Sequence, residues 1–167
     1  MNAKTLPRVD GARLWESLMA FARAAATEKG GVKRLALTDA DRAGRDLVAG
    51  WCREVGLTVK VDRIGNIFAR REGTDPARAP VMAGSHIDTQ PSGGRFDGNY
   101  GVLAALEVVR TLDAHDIRTA APVEVAIWTN EEGTRFQPVM MGSGVFAGVF
   151  ELDAMLSRTD LDGRTVG

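Results

Sequence analysis

One histidine and four carboxylates occupy two short segments of the chain, and together they could hold a metal ion. His86 and Asp88 stand two residues apart in "GSHIDTQPSGGRFDG", which also contains Asp97, while Glu131 and Glu132 are adjacent in "TNEEGTRF". Imidazole combined with carboxylates is a ligand set typical of zinc or another borderline divalent ion, whereas magnesium and calcium sites rarely use histidine. Of two adjacent glutamates, one can bind metal while the other remains free as a base.

The elements predicted around these residues place both segments at one edge of a sheet. His86 and Asp88 lie at the end of the predicted strand "PVMAGS", where strand alternation would direct both side chains to the same side. Glycines at 93, 94 and 98 allow the backbone around Asp97 to turn sharply and approach a buried site. The glutamates begin where the strand "VEVAIW" should end, and ligand sites of open α/β sheets collect at such ends. We therefore expect the two loops to converge.

Periodicity along the rest of the chain predicts an α/β layered domain. Apolar spacing predicts a first helix over about residues 10–29, and Thr38 caps a second helix that Gly56 ends. Strands are predicted at "LTVKV", "IGNIFARR", "PVMAGS" and "APVEVAIWT", and a helix at "GVLAALEVVRTL". The order helix, helix, strands, helix, strand is typical of α/β layers. The apolar face of the second helix is predicted to carry Ala43, Leu47, Trp51, Cys52 and Val55.

Composition excludes several classes of partner. The 167 residues are 44% hydrophobic and carry a net charge of −1, which gives no electrostatic footprint for nucleic acid or an anionic membrane. A lone cysteine, Cys52, cannot form an internal disulfide and fits a reducing compartment. The opening "MNAKTLPRVD" lacks the apolar run of a signal peptide, and no stretch is long and apolar enough to span a bilayer. These features predict a soluble, cytoplasmic protein.

Each motif also has a simpler interpretation. A His-x-Asp pair alone is more often a hydrogen-bonded pair than a metal site, and "EEG" after a strand is usually a solvated turn. "GSGVFAG" has the wrong glycine spacing for a dinucleotide site, and Ser143 within it lacks the surroundings of a hydrolase nucleophile. His115 is expected to be an exposed residue at the end of a helix.

Two long segments closely resemble the hydantoinase/carbamoylase family of amidases, a branch of the dinuclear-zinc M20 metallopeptidase-like enzymes. They are "GSHIDTQPSGGRFDGNYGVLAALEVVR" and "WTNEEGTRFQPVMMGSGVFAG", and the flanking "GGVKRLALTDADRAGRDLVAGWCREVGL" and "VDRIGNIFARREG" also look like family sequence. The resemblance implies a layered, zinc-peptidase-like catalytic domain. It further implies hydrolysis of a non-peptide C–N bond, with N-carbamoyl amino acids giving amino acid, carbon dioxide and ammonia.

Carried onto this sequence, the resemblance implies a role for each candidate residue. His86 would bind one metal ion, Asp97 would bridge two, and Glu132 would bind the second. Glu131 would be the general acid/base, and Asp88 would accept the proton on the far nitrogen of His86. Two divalent ions are implied, with zinc expected and manganese, cobalt or nickel also compatible with such ligands.

Members of this family run to more than twice 167 residues. The resemblance therefore implies that residues 1–167 are the N-terminal portion of the catalytic domain, without the lid and dimerisation domain. The family's second histidine ligand at each metal lies in the later sequence, so we expect this chain alone to bind metal weakly and to show little or no activity. The complete enzyme is expected to be a homodimer that acts on small N-carbamoyl or ureido substrates.

Two other functions compete with this one. An M20-type aminopeptidase or dipeptidase shares the dinuclear site but cuts peptide bonds, although "DTQPSGGRFDG" and "NEEGTRF" favour the carbamoylase branch. A non-catalytic remnant would bind metal, or pair with a full-length subunit, without turnover.

Overall fold

A four-stranded mixed sheet forms the centre of the structure, a computed structural model that describes residues 6–167. Its strands are β1 (Thr58–Val61), β2 (Ile67–Arg71), β3 (Val81–His86) and β4 (Val123–Trp128), in the order β1-β2-β4-β3. β3 and β4 are parallel, with Val81 opposite Val123 and His86 opposite Trp128, while the β1–β2 and β2–β4 pairs are antiparallel. The predicted strands and the α/β fold class are confirmed.

Three long helices cover one face of this sheet. They are α1 (Gly11–Arg23), α2 (Asp39–Glu54) and α3 (Asn99–Ala114). α2 packs on β1 and β2, α3 packs on β3 and β4, and α1 packs on α3. Alternate residues of the central strands face these helices and are buried with them, because strand side chains point to opposite faces in turn. The main core includes Val48, Leu103, Leu106, Ala69, Val125 and Ile127.

The second helix forms as predicted, but its buried stripe lies at different residues. Thr38 is its N-cap and accepts a hydrogen bond from the Asp41 amide, and Cys52 is fully buried. Leu47 and Trp51 are only partly buried, because the helix turns Gly44 and Val48 towards the core instead. Gly44 permits this approach, since a Cβ there would lie 2.8 Å from the Cδ atom of Arg34.

The first helix is shorter than predicted. It ends at Arg23, and the segment predicted as its last two turns forms a tight antiparallel turn instead. The Lys33 amide donates to the Ala25 carbonyl, and Val32 bridges both Ala26 and Gly93. The "EKGG" sequence favours this turn because glycine adopts positive φ easily, and Gly30 has a φ of 83°. The turn connects the N-terminal region to the loop that carries Asp97.

Two short helices that the sequence analysis did not predict follow β4. α4 (Met141–Phe146) contains the "GSGVF" residues, and α5 (Leu152–Leu156) follows it. Together with nearby loops they form a second, smaller core of Ile64, Phe136, Met141 and Met155. Among residues 6–167, no helix has the length and apolar character that crossing a bilayer requires.

Candidate metal centre

The two polar loops follow neighbouring parallel strands and converge at one end of the sheet. β3 ends at His86, and the loop after β4 carries Glu131 and Glu132. One potential ligand atom from each of His86, Asp97 and Glu132 lies within 4.8 Å of the others. The structure therefore brings together residues from three positions that are up to 46 residues apart in the sequence.

The His86 ring is buried and oriented with one nitrogen towards the carboxylates. Its Nδ1 lies 2.9 Å from the backbone carbonyl oxygen of Asp88. Because a carbonyl oxygen only accepts hydrogen bonds, this contact requires the proton on Nδ1 and leaves the lone pair on Nε2. Nε2 lies 3.3 Å from Glu131 Oε2 and 3.8 Å from Asp97 Oδ1. The unprotonated nitrogen therefore faces the acidic residues.

Asp88 makes a different contact from the one expected. We expected its carboxylate to accept the proton on the far nitrogen of His86, and the two side chains to lie on the same side of a strand. The strand ends at His86, so the chain turns, and the carbonyl oxygen of Asp88 takes that position while Oδ1 lies 3.7 Å from Nδ1. The carboxylate instead accepts the backbone amides of Glu131 and Glu132, each at 3.2 Å.

Asp88 consequently links the two loops of the site. Its burial raises the pKa of the carboxyl group, while the amide of Glu131, the neighbouring His86 and the amide of Glu132 oppose that rise. Hydrogen bonds to two successive amides fix the start of the acidic loop directly beside the histidine. The spacing of the two glutamates from His86 is therefore set by one buried side chain.

Gln90 contacts the second glutamate and was missed by the sequence analysis. Its Nε2 donates to Glu132 Oε2 at 2.6 Å, and its Oε1 accepts from the Thr134 hydroxyl at 2.9 Å. A glutamine in a polar loop carries no spacing or periodicity signal, because its partners lie more than 40 residues away in the sequence. It holds one carboxylate oxygen of Glu132 and leaves the other available.

Gly98 allows the Asp97 loop to lie directly against His86. Its φ is +66°, and a Cβ atom at this position would lie 2.5 Å from the His86 carbonyl oxygen and 2.6 Å from the ring Cε1. No amino acid other than glycine could adopt that φ and allow that close approach without strain, because only glycine lacks a side chain. The expectation that a glycine permits close approach is met here.

The donor set fits a borderline divalent cation. It combines one imidazole nitrogen with carboxylate oxygens, as zinc and similar ions prefer. The histidine is buried, whereas the Asp97 side chain is 69% exposed and that of Glu131 is 31% exposed. The cluster is therefore anchored on the protein side and open to solvent on the other, as a site that admits a small molecule requires.

Two further residues lie apart from this cluster, as expected. His115 is exposed at the C-terminal end of α3, where its Nδ1 lies 2.9 Å from the Thr111 carbonyl oxygen. The Ser143 hydroxyl donates to the Met140 carbonyl. Neither contact brings a nucleophile or a base to the metal-ligand cluster. The fold and the site together define an α/β protein whose candidate metal ligands gather at the ends of parallel strands.

Comparisons with known proteins identify the family. Residues 82–164 match the model of peptidase family M20/M25/M40. The chain is 51% identical over 160 residues to an N-carbamoyl-L-amino-acid amidohydrolase of Rhizobium meliloti, covering 96% of this chain and 38% of that protein. It is 44% identical to an N-carbamoyl-L-amino acid amidohydrolase of Geobacillus stearothermophilus, covering 93% of this chain and 38% of that protein.

A solved structure gives the same result. The crystal structure of a hydantoinase/carbamoylase family amidase from Burkholderia ambifaria superposes with a TM-score of 0.96 at 61% identity, covering 97% of this chain and 40% of the other. The chain belongs to the hydantoinase/carbamoylase amidases of the M20 peptidase family, which is metal-dependent. It spans about two fifths of the length of these relatives.

Proposed function

We propose that this chain supplies catalytic-domain residues of a metal-dependent amidohydrolase that acts on N-carbamoyl amino acids. The observation that carries the proposal is the convergence of His86, Asp97 and Glu132, whose ligand atoms lie within 4.8 Å of one another. The substrate class comes from similar proteins named N-carbamoyl-L-amino-acid amidohydrolases. The reaction would break a C–N bond and release the amino acid, carbon dioxide and ammonia.

The proposed ligands divide between two ions. His86 would hold one divalent ion and Glu132 the other, with Asp97 shared between them. Zinc is the first choice, and manganese, cobalt or nickel suit the same donors. Bound divalent ions supply Lewis acidity towards a substrate carbonyl and lower the pKa of water at the site.

Glu131 is the proposed general acid/base. Its Oε2 lies beside the His86 ring at 3.3 Å, yet its side chain is partly exposed, so it can reach both solvent and a substrate at the open side of the cluster. Its carboxylate would take a proton from the attacking water and return it to the leaving nitrogen. The backbone amide of Glu131 is held by the Asp88 carboxylate, which fixes where this proton transfer occurs.

Asp88 contributes to this chemistry by position. Its carbonyl oxygen selects the His86 tautomer that leaves Nε2 free to bind, and its carboxylate holds the backbone of both glutamates. Contacts of this kind, made just outside the ligands themselves, orient a metal site and strengthen its ligands.

The isolated chain is expected to be a weak metal binder and a slow catalyst. Catalytic zinc sites usually offer three protein ligands to each ion, whereas the triad offers three to the whole site. A cytoplasmic location, which suits a buried free thiol at Cys52, and a homodimeric complete enzyme belong to the same proposal.

The proposal is tested by metal binding and turnover in one series. The wild-type chain, His86→Ala and His115→Ala are titrated with Zn²⁺ by calorimetry, and ammonia release from N-carbamoyl amino acids is compared with cleavage of dipeptides. Loss of a direct ligand should weaken Zn²⁺ binding by at least about 100-fold, beyond the 10–100-fold typical of outer contacts. His115→Ala is the matched control, because it removes an exposed histidine whose ring contacts the Thr111 carbonyl of its own helix and which lies outside the candidate ligand group.

Two results would contradict the proposal. Equal Zn²⁺ affinity in wild type and His86→Ala would remove His86 from the site. Dipeptide cleavage without any ammonia release from N-carbamoyl substrates would place the chain with the peptidases of the family.

A further inference from the structure

A buried arginine lies behind the candidate metal centre. Arg34 follows the turn of residues 25–33 and precedes α2, and it is fully buried. Its Nε donates to the Ile87 carbonyl oxygen at 2.6 Å, and Nη2 donates to Asn99 Oδ1 at 2.9 Å. One planar guanidinium therefore bonds to the two ends of residues 87–99, more than 50 residues from Arg34 itself.

Both of these partners are close in sequence to a proposed metal ligand. Ile87 directly follows His86, and Asn99 comes two residues after Asp97. Asn99 also donates from Nδ2 to the Arg95 carbonyl at 3.0 Å, so its amide spans the turn that contains Asp97. A single side chain thus bonds both to the segment that follows His86 and to the residue that spans the Asp97 turn.

The main chain of Arg34 adds a second connection to the same loop. Its amide donates to the Thr89 hydroxyl at 2.8 Å, and the Thr89 amide donates to its carbonyl at 2.8 Å. These two bonds hold Arg34 beside residues 87–89 irrespective of the side chain. The guanidinium is therefore presented to its partners from a fixed backbone position.

Burial of this guanidinium is costly, and its partners are neutral. Desolvation lowers the pKa of Arg34 to about 10, against the opposing effect of the Asp41 and Asp88 carboxylates, so it stays protonated at neutral pH. Nε and Nη2 meet two amide oxygens, and Nη1 has no hydrogen-bond partner among the described residues. The guanidinium carbon lies 4.2 Å from the centre of the Phe21 ring. An apolar side chain would fill a core position at lower desolvation cost, so the geometry of the donors is what Arg34 adds.

We propose that Arg34 is a positioning residue of the metal centre, whose guanidinium fixes the His86 segment against the Asp97 turn. The inference rests on the proposed function, because it assigns a role toward the same metal ions. Lysine at this position would keep the charge but would present a single ammonium in place of the planar fork, so it could not hold both oxygens in one geometry.

The test is a Co²⁺ titration of the 167-residue chain, followed by calorimetry and by the visible absorption of bound Co²⁺. Arg34→Lys should weaken Co²⁺ binding about tenfold and change the absorption spectrum, as loss of an outer contact does. In the metal-free variant, the backbone amide NMR shifts of residues 86–99 should also change.

Arg71→Lys is the matched control at the opposite end of the sheet. Arg71 also bonds to one side-chain oxygen and one backbone carbonyl, but with the two nitrogens exchanged. Its Nε donates to Asp113 and its Nη2 to the Ile117 carbonyl, both at 2.8 Å. Its replacement should leave Co²⁺ affinity, the Co²⁺ spectrum and the shifts of residues 86–99 unchanged. Urea unfolding of both variants sets conditions in which each is fully folded.

The outcomes separate the inference from the function beneath it. Wild-type Co²⁺ affinity and spectrum in folded Arg34→Lys would overturn the positioning role while leaving the metal centre intact. No Co²⁺ binding by the wild-type chain would overturn both. If Arg34→Lys does not fold, Asn99→Ala is compared with Asn99→Asp, since both lose the bond to the Arg95 carbonyl and only the alanine variant loses the guanidinium acceptor. About tenfold weaker binding in Asn99→Ala than in Asn99→Asp supports the inference, whereas equal affinity overturns it.

Discussion

The two ends of the parallel pair β3 and β4 are stabilised by different kinds of contact. At the carboxyl end, buried polar side chains bond to one another or to backbone groups, and only single atoms of Arg34, Asp41 and Asn130 lack a partner among the described residues. At the amino end, the strand arginines form partly exposed ion pairs, Arg71 with Asp113 and Arg70 with Glu124, and the buried polar residues on this side are Glu107 and Thr111 of α3. The buried polar residues of the carboxyl end are Arg34, Asp41, Asn66, His86, Asp88, Thr89, Asn99, Thr129 and Asn130.

The difference shows that the carboxyl end keeps a defined geometry although burying its polar groups costs desolvation free energy. Buried polar groups are destabilising unless their hydrogen bonds are made, and the hydrogen bonds that a buried network does make favour one arrangement of the chain. Exposed ion pairs contribute little stability and tolerate replacement. The carboxyl end therefore has the rigidity that a metal centre needs, while the amino end could change without moving the site.

Among the substitutions that test this comparison, Gly98→Ala is expected to have the largest effect on stability and on metal binding. The new methyl group would contact the backbone and ring of His86 at a positive φ, and neither can move without disturbing the site. Strain and overpacking each cost roughly 1–3 kcal/mol, so urea unfolding should show a loss of about 4 kcal/mol, with metal binding lost as well.

Gly94→Ala is the control for this substitution. Gly94 lies in the same loop, but its φ is not positive, and a methyl group added there would meet no other atom within 4 Å. Its stability should change by less than about 0.5 kcal/mol, as surface substitutions usually do. Equal stability of the two alanine variants would show that the loop is not held against His86.

Asp41→Asn tests the electrostatic cost of the buried end. Burial raises the pKa of Asp41 to about 6 from its ordinary 3.8, while Arg45 and Arg34 and the Leu37 amide oppose the rise and Asp88 adds to it. The folded protein therefore holds this proton more tightly than the unfolded chain does. The contribution of the protonated carboxyl group to the free energy of unfolding is complete below pH 3.8 and is lost as the pH rises through about 6. The pKa difference corresponds to a loss of about 3 kcal/mol.

The measurement is the free energy of unfolding of wild type minus that of Asp41→Asn across about pH 3–8, which brackets both pKa values. This difference should fall by about 3 kcal/mol as the pH rises, because asparagine keeps an acceptor for the Leu37 amide but does not titrate. Asp39→Asn removes an exposed carboxylate from the same helical turn, so the free energy of unfolding of this variant should vary with pH as that of wild type does. A flat difference for Asp41→Asn would show that its carboxyl group ionises without a burial cost.

The contrast between the two ends also explains which features the sequence could predict. Strand alternation, the Thr38 cap and the glycines of the Asp97 loop are local signals, and the corresponding elements form where predicted. The prediction for the first helix is wrong at its C-terminal end. The bridge from Val32 to Gly93 competes with continuation of the helix, and it involves a segment that is distant in sequence. Local propensity contains no information about such a contact.

The candidate site divides in the same way. Residue types and loop positions singled out a histidine and four carboxylates, and the family resemblance chose His86, Asp97 and Glu132 among them as ligands. The structure brings these three together. Arg34 and Gln90 could not be predicted, since their side-chain partners lie more than 40 residues away in the sequence. The carbonyl contact of Asp88 is local, but it depends on the way the chain turns after β3 ends at His86. An arginine in "VKRLAL" has the appearance of a surface residue until its partners are known.

Asp113→Asn is expected to have the smallest effect, and it defines the amino end of the comparison. The Asp113 side chain is 43% exposed, and Arg71 keeps its bond to the Ile117 carbonyl when the carboxylate is replaced. Solvent screens such a pair, so the loss of stability should be less than about 1 kcal/mol and should shrink further at high salt. Urea unfolding at two salt concentrations measures this, with Zn²⁺ affinity as the second readout.

Unchanged Zn²⁺ affinity would sharpen the contrast, because it would show that the amino end stabilises the sheet without setting the geometry of the site. A change in Zn²⁺ affinity would instead mean that the two ends are coupled through α3, whose first residue is Asn99 and whose last turn carries Asp113.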